Sequence, residues 1–140
     1  MNKLFFLSFI LLVVACSKDD IKLETFSPEA FAYDLGDKWE VNAMVNVRGF
    51  EQRENAEYKN IEASIILSAD LKATDGALVE RIFADTINVT HHEEILDIPL
   101  EVQFELDSTY SLGRYQIIIH ITDDFSKNNI TTTVEFELAD

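Results

Sequence analysis

Tyr115-Gln116-Ile117-Ile118-Ile119-His120-Ile121-Thr122-Asp123 decides the fold class of this chain. Tyr115, Ile117, Ile119 and Ile121 recur at every second residue, with Gln116, His120 and Thr122 between them. Successive side chains of a β-strand point to opposite faces, so a two-residue period puts one apolar face on a core. β-Branched isoleucines and a tyrosine suit a pleated, half-buried surface. The spacing predicts a strand over 115–121.

The same period returns on both sides. Downstream, the polar loop Asp123–Asn129 leads to Ile130, Thr132, Val134, Phe136 and Leu138, the last strand. Upstream, beyond the polar connection Asp107–Gly113, alternation runs through Leu96, Ile98, Leu100, Val102, Phe104 and Leu106. Pro99 predicts a bulge or an edge there, because proline donates no ladder bond. Leu78–Thr90 reads as the returning arm of a hairpin whose turn, Lys72–Ala77, holds Asp75-Gly76. The outgoing arm is Ile61, Ala63, Ile65, Leu67, Ala69 and Leu71. A charged loop, Gly49–Lys59, separates it from the strand Lys38–Val47, where Trp39, Val41, Ala43, Val45 and Val47 share a face. The turn Asp34–Asp37 precedes that strand, and a short first strand, Phe26–Tyr33, is interrupted by Pro28. No window shows the i, i+3, i+4 spacing of an amphipathic helix. The expected class is all-β: six or seven antiparallel strands in two sheets packed face to face, with a barrel as the other closure. Ten Phe against four Gly favour the sandwich.

Lys3, an apolar run of 11 residues from Leu4 to Val14 broken only by Ser8, and the small Ala15 follow the order of a secretory signal. The run is short of the roughly 20 residues that cross a hydrocarbon core. Val13-Val14-Ala15-Cys16 resembles the bacterial lipobox, in which the cysteine thiol receives a diacylglycerol and becomes residue one after cleavage. Cys16 is the only cysteine, so no disulfide competes for it. Ser17-Lys18-Asp19-Asp20 resembles the acidic signal that sends Bacteroidota lipoproteins across the outer membrane to face outside; without it such a protein faces the periplasm. The expected organisation is a signal peptide over 1–15, a lipidated tether over 16–25 and one domain over 26–140.

Cleavage before Cys16 also removes Lys3, which moves the formal net charge from −15 to −16. Such a surface repels nucleic acid and anionic membrane. No nucleic-acid partner is expected, and the membrane contact is the lipid on Cys16. With no second cysteine, stability must come from the core.

Leu112-Gly113-Arg114-Tyr115-Gln116-Ile117 resembles the start of strand F in immunoglobulin-like (Ig-like) domains. That resemblance implies that the Tyr115 hydroxyl bonds back to the preceding connection and that Ile117 takes an inward place often held by cysteine. His120-Ile121-Thr122-Asp123-Asp124 through Asn128-Asn129 to Val134 resembles the F–G hairpin of bacterial Ig-like and cadherin-like modules; Lys127 stands where that pattern has glycine. With His91-His92-Glu93-Glu94-Ile95-Leu96-Asp97-Ile98-Pro99 and the lipoprotein signal, this is similar to a family of small Bacteroidota lipoproteins with one Ig-like domain. The resemblance covers residues 90–138 and the signal, and it implies fold and address without an activity.

There is no Gly-rich phosphate loop, no G-x-S-x-G elbow, no H-E-x-x-H and no C-x-x-C, so no enzymatic activity is expected. His120 with Asp123 or Asp124, joined by His91 or His92, carries the donors of a zinc or copper site. Adjacent strand residues face opposite ways, so only one of His91 and His92 can join; His92 is the one taken with His120, Asp123 and Asp124. Asp34, Asp37, Asp107, Asp123, Asp124, Asn128 and Asn129 offer loop oxygens suited to calcium, or are solvated turn residues. Asp107-Ser108-Thr109 and Asp85-Thr86-Ile87 resemble the O-glycosylation acceptor of Bacteroidota, at Ser108 and Thr86. Phe50, Tyr58 and Tyr110 are aromatics of the predicted loops. The expected role is a non-enzymatic, outer-membrane-anchored accessory that contacts an envelope or extracellular protein. The alternatives are a calcium- or zinc-binding lipoprotein and a carbohydrate-binding accessory.

Overall fold

The computed structural model describes residues 21–140, which form eight strands and no helix. They are β1 (Glu24–Asp34), β2 (Lys38–Arg48), β3 (Arg53–Asn55), β4 (Asn60–Lys72), β5 (Leu78–His91), β6 (Ile98–Asp107), β7 (Gly113–Asp123) and β8 (Asn129–Leu138). One antiparallel sheet has the order β1-β2-β6, and the other five strands make the second. Along one edge β4 pairs with β5. Along its other edge it pairs first with β3, at Asn60–Glu62, and then with β7 from Ile65 onward. β8 lies beyond β7. Hairpins join β1 to β2, β3 to β4, β4 to β5 and β7 to β8, and the remaining connections cross between sheets.

The alternation that predicts the strands also predicts the core. Val41, Val45, Ile65, Leu67, Leu71, Leu100, Ile117, Ile119 and Ile121 are each at most 1% exposed. Burying a side chain of this size stabilises by about 1.5–3 kcal/mol. At one end Tyr115 stacks on Phe136 with ring centroids 5.4 Å apart. The Tyr115 hydroxyl donates to the carbonyl of Ser111 at 2.6 Å, the bond back that the resemblance implies.

Three details differ from the sequence reading. The strands number eight rather than about seven, because the charged loop contains β3, which is too short and too polar to show a period. It is held by Asn55, whose side-chain oxygen accepts from the Glu57 and Tyr58 amides. The strand read from Leu96 begins at Ile98, and Leu96 is exposed. Ile95 takes the buried place, because the Gln52 side-chain amide accepts from its N–H at 2.7 Å and donates to its carbonyl at 2.8 Å. The first strand starts at Glu24 and runs through Pro28 by a bulge. Pro99 sits without a bulge on β6, an edge strand.

Candidate functional site

β7 presents Ile117, Ile119, Ile121 and Asp123 to the core side, so His120 faces outward as its parity requires. His120 Nε2 lies 2.8 Å from Asp70 Oδ2 on β4, and its Nδ1 lies 3.3 Å from the Thr131 hydroxyl. The backbone N–H of Arg81, then the His120 ring, hold the Asp70 carboxyl below the ordinary carboxylate range. His120 and Asp123 thus leave β7 on opposite faces. His91 pairs with Ile61 on the far side of β4, whereas His120 pairs with Ser68. Seven residues along β4 at roughly 3.3 Å each separate the two by about 23 Å, and His92 follows His91. The side chains read as a zinc or copper set do not converge. Among the described residues no group of three or more His, Cys, Asp or Glu is disposed to hold a metal ion.

The acids of the loops act on their own backbone. Asp123 is 1% exposed. Its Oδ2 accepts from the Glu51 N–H at 2.7 Å and the Ser126 hydroxyl at 2.6 Å, and its Oδ1 accepts from the Phe125 N–H at 3.1 Å. It therefore ties the β7–β8 turn to the loop after β2. Asp124 is paired with Lys127 Nζ at 2.8 Å, and that ammonium lowers its pKa. Lys127 has φ +65°, the left-handed conformation for which the resembling hairpins use glycine. Asp34 caps Gly36, and Asp107 accepts from the Thr109 amide and hydroxyl. These are turn-forming bonds of the kind Asp favours.

Ser108 is exposed in the turn after β6, and Thr86 is exposed in the middle of β5. Cys16 and the export residues Ser17, Lys18, Asp19 and Asp20 lie outside the described residues. Of the loop aromatics, Phe50 is buried, Tyr110 leans on Tyr115 at 6.3 Å and Tyr58 is exposed.

Sequence parity hides a different aromatic group. Phe26 pairs with Asn46 and Glu29 with Met44, so β1 carries one residue more than β2 in this interval. Ser27 takes φ +52° in the bulge. An extra residue exchanges the two faces of a strand. Before it the even positions face out, and after it the odd ones do. Phe26, Phe31 and Tyr33 consequently share the outer face of the three-stranded sheet, opposite Asn46, Asn42 and Glu40, while Ala30 and Ala32 pack on the core. Phe31 and Tyr33 meet edge to face at 5.3 Å, and the Arg48 guanidinium lies 5.2 Å from the Phe26 ring. Met44, 40% exposed, adjoins the row. The same face carries Glu29, Glu40, Glu101 and Glu105; of its cations, Lys38 is paired with Glu105 at 2.9 Å and Arg48 with Glu24 at 3.0 Å. The signal for this row was the run Phe26-Ser27-Pro28, a place where a strand can change face.

No family model matches the chain, and no curated protein does. Among solved structures it is similar to part of a family 123 glycoside hydrolase from Clostridium perfringens, at 13% identity and TM-score 0.45. That match covers 72% of this chain and 21% of the hydrolase, so the chain spans about a fifth of its length. A protein from Archaeoglobus fulgidus is similar at 12% identity and TM-score 0.41, over 83% of this chain and 98% of that one.

Proposed function

We propose that this is a lipid-anchored, surface-displayed outer-membrane protein of the Bacteroidota kind, whose Ig-like domain binds another envelope or extracellular protein and catalyses no reaction. The address is supported by Val13-Val14-Ala15-Cys16 and the acidic Ser17-Lys18-Asp19-Asp20. The Ig-like reading is supported by strand order. If β1, β2, β4, β5, β6, β7 and β8 are strands A to G, then A-B-E faces D-C-F-G, which differs from the constant-type arrangement only in the edge occupied by D. The Tyr115–Ser111 bond at the corner before strand F agrees with it.

The observation that carries the binding role is the solvent-facing row Phe26, Phe31 and Tyr33 with Met44. Aromatic and methionine side chains are enriched in protein interfaces. Phe31 and Tyr33 stand edge to face at 67°, whereas a sugar ring stacks on a flat exposed face, so a protein fits this row better than a glycan. The acids around it suit a partner with basic residues at the rim.

Two experiments test the proposal. Protease treatment of intact cells is compared for the wild type and a variant with Ser17, Lys18, Asp19 and Asp20 all changed to alanine. The wild type is cut and the variant is protected; protection of both places the domain in the periplasm and removes the extracellular partner. Chemical crosslinking in cells then yields a partner species that the double variant Phe31→Ser, Tyr33→Ser loses at unchanged thermal stability. A crosslinked species that persists in that variant defeats the aromatic row as the contact.

A further inference from the structure

β5 is the one edge of the larger sheet built to continue it. It pairs only with β4 among the described strands, is 14 residues long and contains no proline. The other edges are obstructed. β1 is broken by the bulge at Ser27-Pro28, and its Thr25 hydroxyl meets Thr132 of β8 at 2.5 Å, which closes that side of the sandwich. β6 starts at Ile98-Pro99 and carries Glu101, Glu105 and Asp107 outward. β5 itself is bulged at Glu80–Ile82, where Arg81 has φ +50°, and then runs regularly from Phe83 to His91. That segment, Phe83-Ala84-Asp85-Thr86-Ile87-Asn88-Val89-Thr90-His91, holds a single acid in a chain of net charge −15.

The direction of its backbone groups follows from one bond. The Thr86 N–H donates to the side chain of Asp85 at 2.8 Å rather than into the β4 ladder. Backbone polarity alternates along a strand, so Ala84, Thr86, Asn88 and Thr90 turn their N–H and C=O groups to the open edge. These residues are all exposed.

We infer that β5 is a self-pairing edge, on which a second copy of this chain docks antiparallel about a two-fold axis at Asn88. The occupant follows from the register. A two-fold through Asn88 sets Asn88 against Asn88 of the second copy, Ile87 against Val89, Thr86 against Thr90 and Asp85 against His91. Each pair joins like side chains, or sets a carboxylate against an imidazole whose Nδ1 accepts from the Glu93 N–H and whose Nε2 is left to donate, combinations that stabilise neighbouring strands. Shifting the axis to Ile87 sets Asp85 against Val89, and shifting it to Thr86 sets Asp85 against Ile87. Shifting it to Val89 sets Ile87 against His91 and leaves Asp85 without a partner. Only the Asn88 axis sets the Asp85 carboxylate, one of whose oxygens already accepts from the Thr86 N–H, against a side chain that can donate to the other. The pair joins the two larger sheets into a continuous one, with each contact off the axis made twice. The pairing itself does not depend on the lipid anchor. In this antiparallel pair the two β1 strands begin, at Glu24, at opposite ends.

The test uses the chain with Cys16→Ser, so that an introduced thiol is the sole one. Sedimentation across a hundredfold concentration range shows monomer passing to dimer. Asn88→Lys, which sets two like charges at the axis, raises the dissociation constant by about tenfold or more while the circular dichroism spectrum is kept. Under mild oxidation Asn88→Cys forms a disulfide-linked dimer faster than Thr133→Cys, which is exposed on β8 of the same sheet. A monomer at every concentration, a dimer indifferent to Asn88→Lys, or equal crosslinking of the two cysteine variants overturns the inference. Failure of surface display alone leaves it standing, because the measurement is made in solution.

Discussion

Asp123 is the point at which a single carboxylate joins two loops, and its removal has a calculable cost. Asp123→Ala deletes three hydrogen bonds, to the Glu51 amide, the Phe125 amide and the Ser126 hydroxyl. Bonds to a charged acceptor are worth about 1.5–3 kcal/mol each, and donors left behind near the surface recover part of this by hydration. The net loss expected for alanine is about 3–5 kcal/mol. Asp123→Asn is a milder change, because the amide oxygen placed at Oδ2 keeps the Glu51 and Ser126 bonds. Its NH2 then faces the Phe125 N–H, so one bond is exchanged for a donor–donor contact, at about 1–2 kcal/mol. Urea unfolding followed by Trp39 fluorescence measures both. With a slope of about 2 kcal/mol/M the midpoint falls by about 2 M for alanine and by under about 1 M for asparagine. Two results refute the reasoning: an alanine variant within about 0.5 kcal/mol of wild type, or an asparagine variant as damaged as the alanine one.

Three further outcomes are expected. Tyr115→Phe removes the bond to Ser111 and keeps the ring stacked on Phe136, so it costs about 0.5–1.5 kcal/mol in the same assay; a neutral variant removes the corner as a stabilising feature. Gly49→Ala places a Cβ 1.9 Å from the Lys22 carbonyl oxygen at φ +79°. It loses about 1–2 kcal/mol to backbone strain alone and frees the segment before β1, seen as faster proteolysis near Lys22; unchanged stability and cleavage contradict it. For Asp70 the folded pKa lies below the ordinary 3.8, so its contribution is present above about pH 4 and is lost as pH falls through the lower folded value. Asp70→Asn flattens the melting-temperature profile below about pH 4, and an unaltered acid slope refutes the assignment.

The alternation at 39–47, 61–71, 98–106 and 115–121 made five-sixths of this core legible before any fold was known, because the inner face of a half-buried strand must be apolar at every second position. A count of strands failed at β3, where three polar residues owe their pairing to Asn55 and to the adjoining start of β4 rather than to a pattern of their own. It failed again at Leu96 and Ile95, where the Gln52 side chain selects the buried residue. The candidate site was less legible. His120, Asp123 and Asp124 lie within five residues of one another in the sequence, and alternation on β7 and the β7–β8 turn sends their side chains to different places.

What the sequence determined by itself was the class of structure, since a two-residue apolar period depends on local order; the proposed address likewise rests on a short string of residue types around Cys16. Only the tertiary structure decided which faces and edges remain open. One extra residue at Ser27-Pro28 turns Phe31 and Tyr33 onto the face of Phe26, and the pairing of β5 with β4 alone leaves its other edge bare. Exposure is a property of a residue's neighbours across the sheets, and no period along the chain specifies those neighbours.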